Sequence, residues 1–243
     1  MLLKFICCDV FTRIACHIIA RSPHIVDVEF VPMLAHITPD KLKKDLQDMI
    51  NRSAEQKDYD VIIMGYGLCG NSISGLTCPK PMIIPRVHDC CSVFMGSKES
   101  FLKEFKDSLS MRWCSNGYYE RCYVNRQNDL YINAQNKTTA EYLELIEKYG
   151  EENADYIWET LHPEVETDET AYIEIDGFEF SGSLAGFRDD MSSQGKAVKI
   201  LRGNINYLEK LINGPWDDEL FLRVEHGQTV TPVFDMDKVI IAI

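Results

Sequence analysis

The sequence predicts an α/β protein: a mostly parallel, doubly wound sheet with helices on both faces and an inserted α-rich cap. Three observations predict it. Short apolar runs at residues 2–6, 61–64 and 82–84 each break at turn residues, as buried strands do. Segments with apolar residues at helical spacing separate the early strands, which is the β-α-β alternation of a parallel sheet. Each of the three runs also ends in a loop carrying cysteine: Cys7-Cys8-Asp9, Gly65-Tyr66-Gly67-Leu68-Cys69-Gly70-Asn71, and Pro85-Arg86-Val87-His88-Asp89-Cys90-Cys91. In open α/β sheets ligands bind at the carboxyl ends of strands, so the three loops are expected to share one pocket.

In order, residues 2–6 read as the first strand. Residues 10–20 carry Ile14, Ile18 and Ile19 at helical spacing. Residues 25–31 alternate apolar and acidic side chains, as a half-buried strand does. Thr38-Pro39-Asp40 opens a helix with a cap residue, a first-turn proline and an acid. It runs to about Ser53, with Leu42, Leu46, Met49 and Ile50 on one face. Residues 61–64 and 82–84 are strands, and 93–109 a helix with Phe94, Phe101, Leu102 and Phe105 inward. From Met111 the pattern changes. Residues 111–119 read as an aromatic-rich turn, 138–149 as a helix, and 151–160 as an acidic helix stopped by His162-Pro163. An acidic link over 164–169 precedes a strand over 171–175. Residues 198–211 read as a helix ended by Asn213-Gly214-Pro215. Strands follow at 220–224 and 239–243. The expected organisation is a sheet domain from 1–110 and 191–243, with 111–190 an insertion or cap, or a further part of the same domain.

Composition narrows the function. The chain has 243 residues, a net charge of -13 and a pI of about 4.9. Nucleic acid and anionic membranes select clustered Lys and Arg, so neither is an expected partner. No apolar stretch approaches the roughly 20 residues of a membrane helix. The start lacks a basic leader, and Asp9 ends its apolar run. The expectation is a cytoplasmic protein acting on a small molecule. Nine cysteines, an odd count with Cys7-Cys8 and Cys90-Cys91 adjacent, do not suit a disulfide framework. Metal binding or thiol chemistry is expected instead, with Cys16 and Cys78 as packing residues.

Cys8, Cys69 and Cys90 are the expected metal ligands. Three protein ligands leave one coordination position open, which catalysis requires. Zinc and an iron–sulfur cluster both accept such a set. His88 stands as a fourth ligand or nearby partner, because a His-x-Cys pair can place imidazole and thiolate on one ion. The alternative is a metal-free enzyme with Cys90 as nucleophile, His88 as its base and Arg86 stabilising the thiolate. Asp9 and Asp89 are acid–base or orienting groups unless they only cap helices. Ser92 and Ser97 offer an anion seat near a helix start. Cys114 and Cys122 are second-rank ligands. Gly65 to Gly70 has the form G-x-G-x-x-G, but no helix opens directly after it, so nucleotide binding is not the preferred reading.

GYGLCGN, IPRVHDC, Gly96-Ser97 and the late NYLEKLINGPWDDELFLRVEHGQ together resemble the uncharacterised domain of unknown function family number 1638. Its members come largely from methanogens and other anaerobes. The resemblance implies single cysteines at Cys8, Cys69 and Cys90, with Cys7 and Cys91 extra to the pattern. It also implies an anaerobic setting near corrinoid-dependent methyl transfer, without an established reaction. Corrinoid:thiol methyltransferases hold zinc with a His-x-Cys pair and a remote Cys, a form that His88-Asp89-Cys90 shares. The expectation is therefore a metal-dependent enzyme or accessory protein of anaerobic one-carbon metabolism. A corrinoid would be supplied through a protein partner. The alternative is a non-catalytic binding partner of a corrinoid or methyl-carrier protein.

Overall fold

The computed structural model describes residues 1–105, 111–125, 140–151, 153–154, 157, 169–235 and 238–243. The first four strands are β1 (Leu2–Cys8), β2 (Ile25–Val31), β3 (Val61–Gly65) and β4 (Met82–Pro85). A second sheet uses β5 (Trp113–Ser115), β6 (Glu169–Ile175) and β7 (Ala197–Gly203). Strand β8 (Phe221–Val224) returns to the first sheet, and β9 (Val230–Pro232) pairs with β10 (Ile240–Ala242). The first sheet has the order β2-β1-β3-β4-β8, parallel except for the antiparallel edge strand β8. The second is parallel throughout, in the order β5-β6-β7.

Alternation along β1 explains the two layers. Leu3, Phe5 and Cys7 join one apolar cluster, and Ile6 joins the other. On the first face lie α1 (Thr12–Ile19), with Ile14, Ala15 and Ile18 inward. The second face is covered by α2 (Pro39–Gln56), which buries Leu42, Leu46 and Ile50. That is the stripe its i, i+4, i+8 spacing demands. Each fully buried Leu, Ile or Phe contributes about 1.5–3 kcal/mol.

The chain leaves β1 for β2 on one side, then crosses to β3 on the other. The carboxyl ends of β1 and β3 therefore flank the topological switch point, where open α/β sheets form their binding crevice.

The remaining helices are α3 (Cys90–Phe94), α4 (Lys98–Phe105), α5 (Asn116–Asn125), α6 (Ala140–Tyr149), α7 (Ser183–Ser193) and α8 (Asn206–Asn213). Several expectations need correction. The helix expected at 93–109 is two helices parted at Gly96, a positive-φ residue (φ 79°). Its last residues, 106–109, lie outside the described residues. The expected turn at 111–119 is β5 followed by the start of α5. Residues 198–211 are not one helix: most of β7 comes first, then α8. Gly203 ends β7, where a side chain would strike Phe94 O. The segment expected as an α-rich cap also carries β5 and β6, and their partner β7 lies past residue 190. Ala171, Ile173 and Leu201 of the second sheet share one cluster with Leu3, Phe5 and Tyr207. The acidic link at 164–168 and most of the helix expected at 151–160 lie outside the described residues. Among the described residues no helix is long and apolar enough to cross a membrane.

Candidate functional site

Strands β1, β3 and β4 end on one edge, and their loops interlock. A side chain at Gly65 would strike Cys7 Cβ on the neighbouring strand, its direct register partner. At Gly67 it would come within 2.8 Å of Val87 O. This close approach lets the two loops bond through their backbones. Leu68 N–H donates to Val87 O and Cys69 N–H to His88 O, each at 2.9 Å. Cys69 itself is left-handed (φ 43°), a conformation that costs a non-glycine residue about 1–2 kcal/mol.

Between these loops lies a cavity of about 260 Å³, lined by Cys8, Cys69 and Cys90 together. Phe11, Pro32, Met33 and Trp113 give it apolar walls, and His36, Tyr66, Asp89 and Tyr118 give it polar groups. Burial pushes the Cys8 thiol up to about 12, and the charges of Asp9 and Cys69 add to the rise. Burial, then Asp89, pushes Cys69 up to about 12. Cys90 is raised well above the ordinary value, by burial first and then by Cys69 and Cys8. The three sulfurs thus lie within one another's electrostatic reach, and all are protonated near neutral pH. The Tyr118 hydroxyl sits 2.7 Å from Cys90 Sγ.

The acids hold the frame. Asp89 Oδ1 accepts the Cys91 N–H at 2.9 Å and caps α3. Asp9 Oδ1 accepts the Met33 N–H at 2.8 Å, and Arg121 stands 3.6 Å from its other oxygen. His36 Nδ1 bonds to Met33 O, a carbonyl that only accepts, so Nδ1 is the donor.

Other expected site residues lie elsewhere. His88 is exposed and does not line the cavity. Arg86 turns to the β8–β10 side. Its Nε donates to Asp218 O at 2.9 Å, and its Nη1 to Lys238 O at 3.1 Å and to Ile240 O. It makes a structural clasp there, away from the cavity that Cys90 lines. Ser92 is buried within α3. Ser97 Oγ accepts the Ser100 N–H at 3.0 Å, in a separate cleft where the acids Glu99, Asp217 and Glu219 outnumber Lys210 and so disfavour an anion. Cys114 packs with Tyr172 and Phe187, away from the other sulfurs, with Cys122 in its electrostatic range. Among the described residues, no group of three or more His, Cys, Asp or Glu side chains is set to hold a metal ion.

A family model matches residues 30–212. The chain belongs to the family Protein of unknown function (DUF1638). No curated protein and no solved structure matches it. In this DUF1638 chain the matched span holds Cys69, Cys90, His36 and Tyr118, while Cys8 precedes it.

Among the cavity residues, no sequence signal marked Tyr66 and His36, and Tyr118 and Trp113 read there as packing residues only. Gly117 was the available signal for Tyr118. Any side chain at Gly117 would collide with Val10 O, so only glycine lets α5 press Tyr118 against Cys90. Gly117→Ala is expected to cost about 1–3 kcal/mol through overpacking. It should also withdraw the Tyr118 hydroxyl, a bond that lowers the Cys90 pKa, read as slower alkylation of Cys90 at one alkaline pH in the folded protein. Unchanged stability and unchanged alkylation would show that the contact is not needed.

Proposed function

We infer that this is a metal-dependent enzyme or accessory protein in which Cys8, Cys69 and Cys90 hold a thiophilic centre, an iron–sulfur cluster ahead of a single zinc. One observation carries the reading: three thiols line one cavity, and burial and mutual repulsion keep all of them protonated. No Lys or Arg is among the described lining residues. A nucleophilic cysteine wants a cation beside it that lowers its pKa. A bound metal instead deprotonates a coordinating thiol outright.

The donor chemistry fits, since soft thiolates select zinc and iron–sulfur clusters. Zinc draws its sulfurs to one point with bonds of about 2.3 Å. A cluster distributes its ligands over several irons, which suits thiols that ring a cavity. With three protein ligands the centre would keep an open position and supply a Lewis acid there.

The chain's own residues complete the site. Tyr118 holds Cys90 Sγ, and Phe11, Met33 and Trp113 exclude water. His36, fixed through Nδ1, offers Nε2 to take or give a proton. The cavity, about 260 Å³, is below the roughly 300–1,000 Å³ of pockets for drug-sized ligands, so a small substrate suits it. A corrinoid would reach it only as part of a partner protein, in keeping with the methyl-transfer setting that the family resemblance implies.

Metal, sulfide and spectroscopic analysis of anaerobically purified protein tests the reading. Iron with acid-labile sulfide is the expected result, and zinc alone would select the single-ion form. Protein free of both would sink it.

A further inference from the structure

Phe94 is buried and does not line the cavity, but three rings that do line it pack around Phe94. Its ring centroid lies 4.7 Å from that of Phe11, 6.1 Å from Trp113 and 6.1 Å from Tyr118. Trp113 and Tyr118 meet each other at 4.8 Å with their planes 74° apart, which makes a corner. The Tyr118 hydroxyl, 2.7 Å from Cys90 Sγ, fixes that ring from its other end. Tyr66, buried just past β3, lines the same space. Four rings from separate parts of the chain therefore border one cavity of about 260 Å³.

Rings alone would suit any apolar guest, and the charges narrow the choice. Among the described lining residues Asp89 is the only acid, and there is no Lys or Arg. An anion would find no cation there and would face the negative faces of the rings. A cation is drawn to those faces. A primary ammonium or a guanidinium needs an acceptor for each N–H, which ring faces supply poorly. A methylated onium has no such need, because its charge is spread over C–H groups that rings can enclose.

We propose that the cavity binds a small methylated cation, a quaternary ammonium or its sulfonium analogue, among Phe11, Tyr66, Trp113 and Tyr118, with Asp89 as the counter-charge. As a binding site it stands on the rings and their geometry. As the substrate site of an enzyme it rests on the metal reading above. Phe94 holds three of the rings in place before any ligand arrives, so little ordering is left for binding to impose.

Titration calorimetry on the full-length protein, as purified anaerobically and again after metal removal, tests the proposal with two probes. They are choline and its neutral carbon isostere, dimethylbutanol, which share a shape and differ in charge. Choline should bind both forms of the protein about ten-fold tighter than the isostere. Trp113→Leu keeps an apolar wall and removes a ring face. It should weaken choline about ten-fold and leave the isostere nearly unchanged. Should that variant not fold, Asp89→Asn keeps an oxygen for the Cys91 N–H and removes the charge. It should weaken choline several-fold and spare the isostere. Equal affinity for the two probes, or equal loss of both in a variant, overturns the proposal. Choline that binds neither form, or only the metal-free form, overturns it too. A wild type that carries no metal ends the metal reading by itself, and the contrast between the probes then decides the cation site alone.

Discussion

If Cys8, Cys69 and Cys90 hold a metal centre as proposed, Cys90→Ser is expected to abolish metal uptake while leaving the protein folded, and Cys91→Ser to do the reverse. The two cysteines are adjacent, but α3 aims them differently. Cys90 lines the cavity beside Cys8 and Cys69, whereas Cys91 is fully buried in the apolar core and does not line it. Serine at 90 keeps a partner in Tyr118 and loses only the soft donor. Its stability cost should stay within about 1 kcal/mol, with iron or zinc falling to background. Serine at 91 puts a hydroxyl among apolar side chains, at a cost of about 1–3 kcal/mol, with metal content retained. Metal analysis and denaturant unfolding of both variants read the contrast. Equal metal content in the two would remove Cys90 from the ligand set.

Arg86→Met should be the most destabilising of the single changes considered, and it should leave the cavity untouched. The guanidinium serves three carbonyls, those of Asp218, Lys238 and Ile240, and so ties β4 to the chain around β8 and β10. Methionine fills much of the volume and satisfies none of them. The Ile240 bond is buried and the other two are part-buried, so with roughly 1–3 kcal/mol for a buried group left unpaired and less for the others, a loss of about 3 kcal/mol is expected in urea unfolding. Cys90 labelling in the folded variant should match wild type. A variant of normal stability with slower Cys90 labelling would return Arg86 to the role of thiolate stabiliser.

The cysteine-ended strands β1, β3 and β4 were legible because local signals mark them: a buried apolar run, then turn residues. The Pro39 helix start was legible for the same reason. The second sheet was not. Among the described residues strand β7 is paired only with β6, with Lys199 and Arg202 in ion pairs and Ile200 exposed, so its spacing ran on smoothly into α8. Its partner is more than twenty residues back in the chain, and only that pairing makes it a strand. The site divides in the same way. Cys8, Cys69 and Cys90 could be collected from strand ends by a topological rule. His88 and Arg86 belong to the same motif as Cys90, yet one faces solvent and the other faces β10. Neighbours in sequence just past a strand end need not share a direction. Tyr118 was hidden because its nearness to Cys90 depends on the contact of Gly117 with Val10, more than a hundred residues apart.

The cavity's two halves also differ in when they are made. All three sulfurs belong to the first 90 residues, at or just past the ends of strands that pair with one another. Trp113 and Tyr118 follow, and β5 has no sheet to join until β6 emerges beyond residue 168. A chain is synthesised from its N-terminus at about 5–20 residues per second. On a ribosome, then, the three thiol-bearing segments emerge seconds before Trp113 and Tyr118, and a metal centre of the kind proposed would meet them without those two side chains.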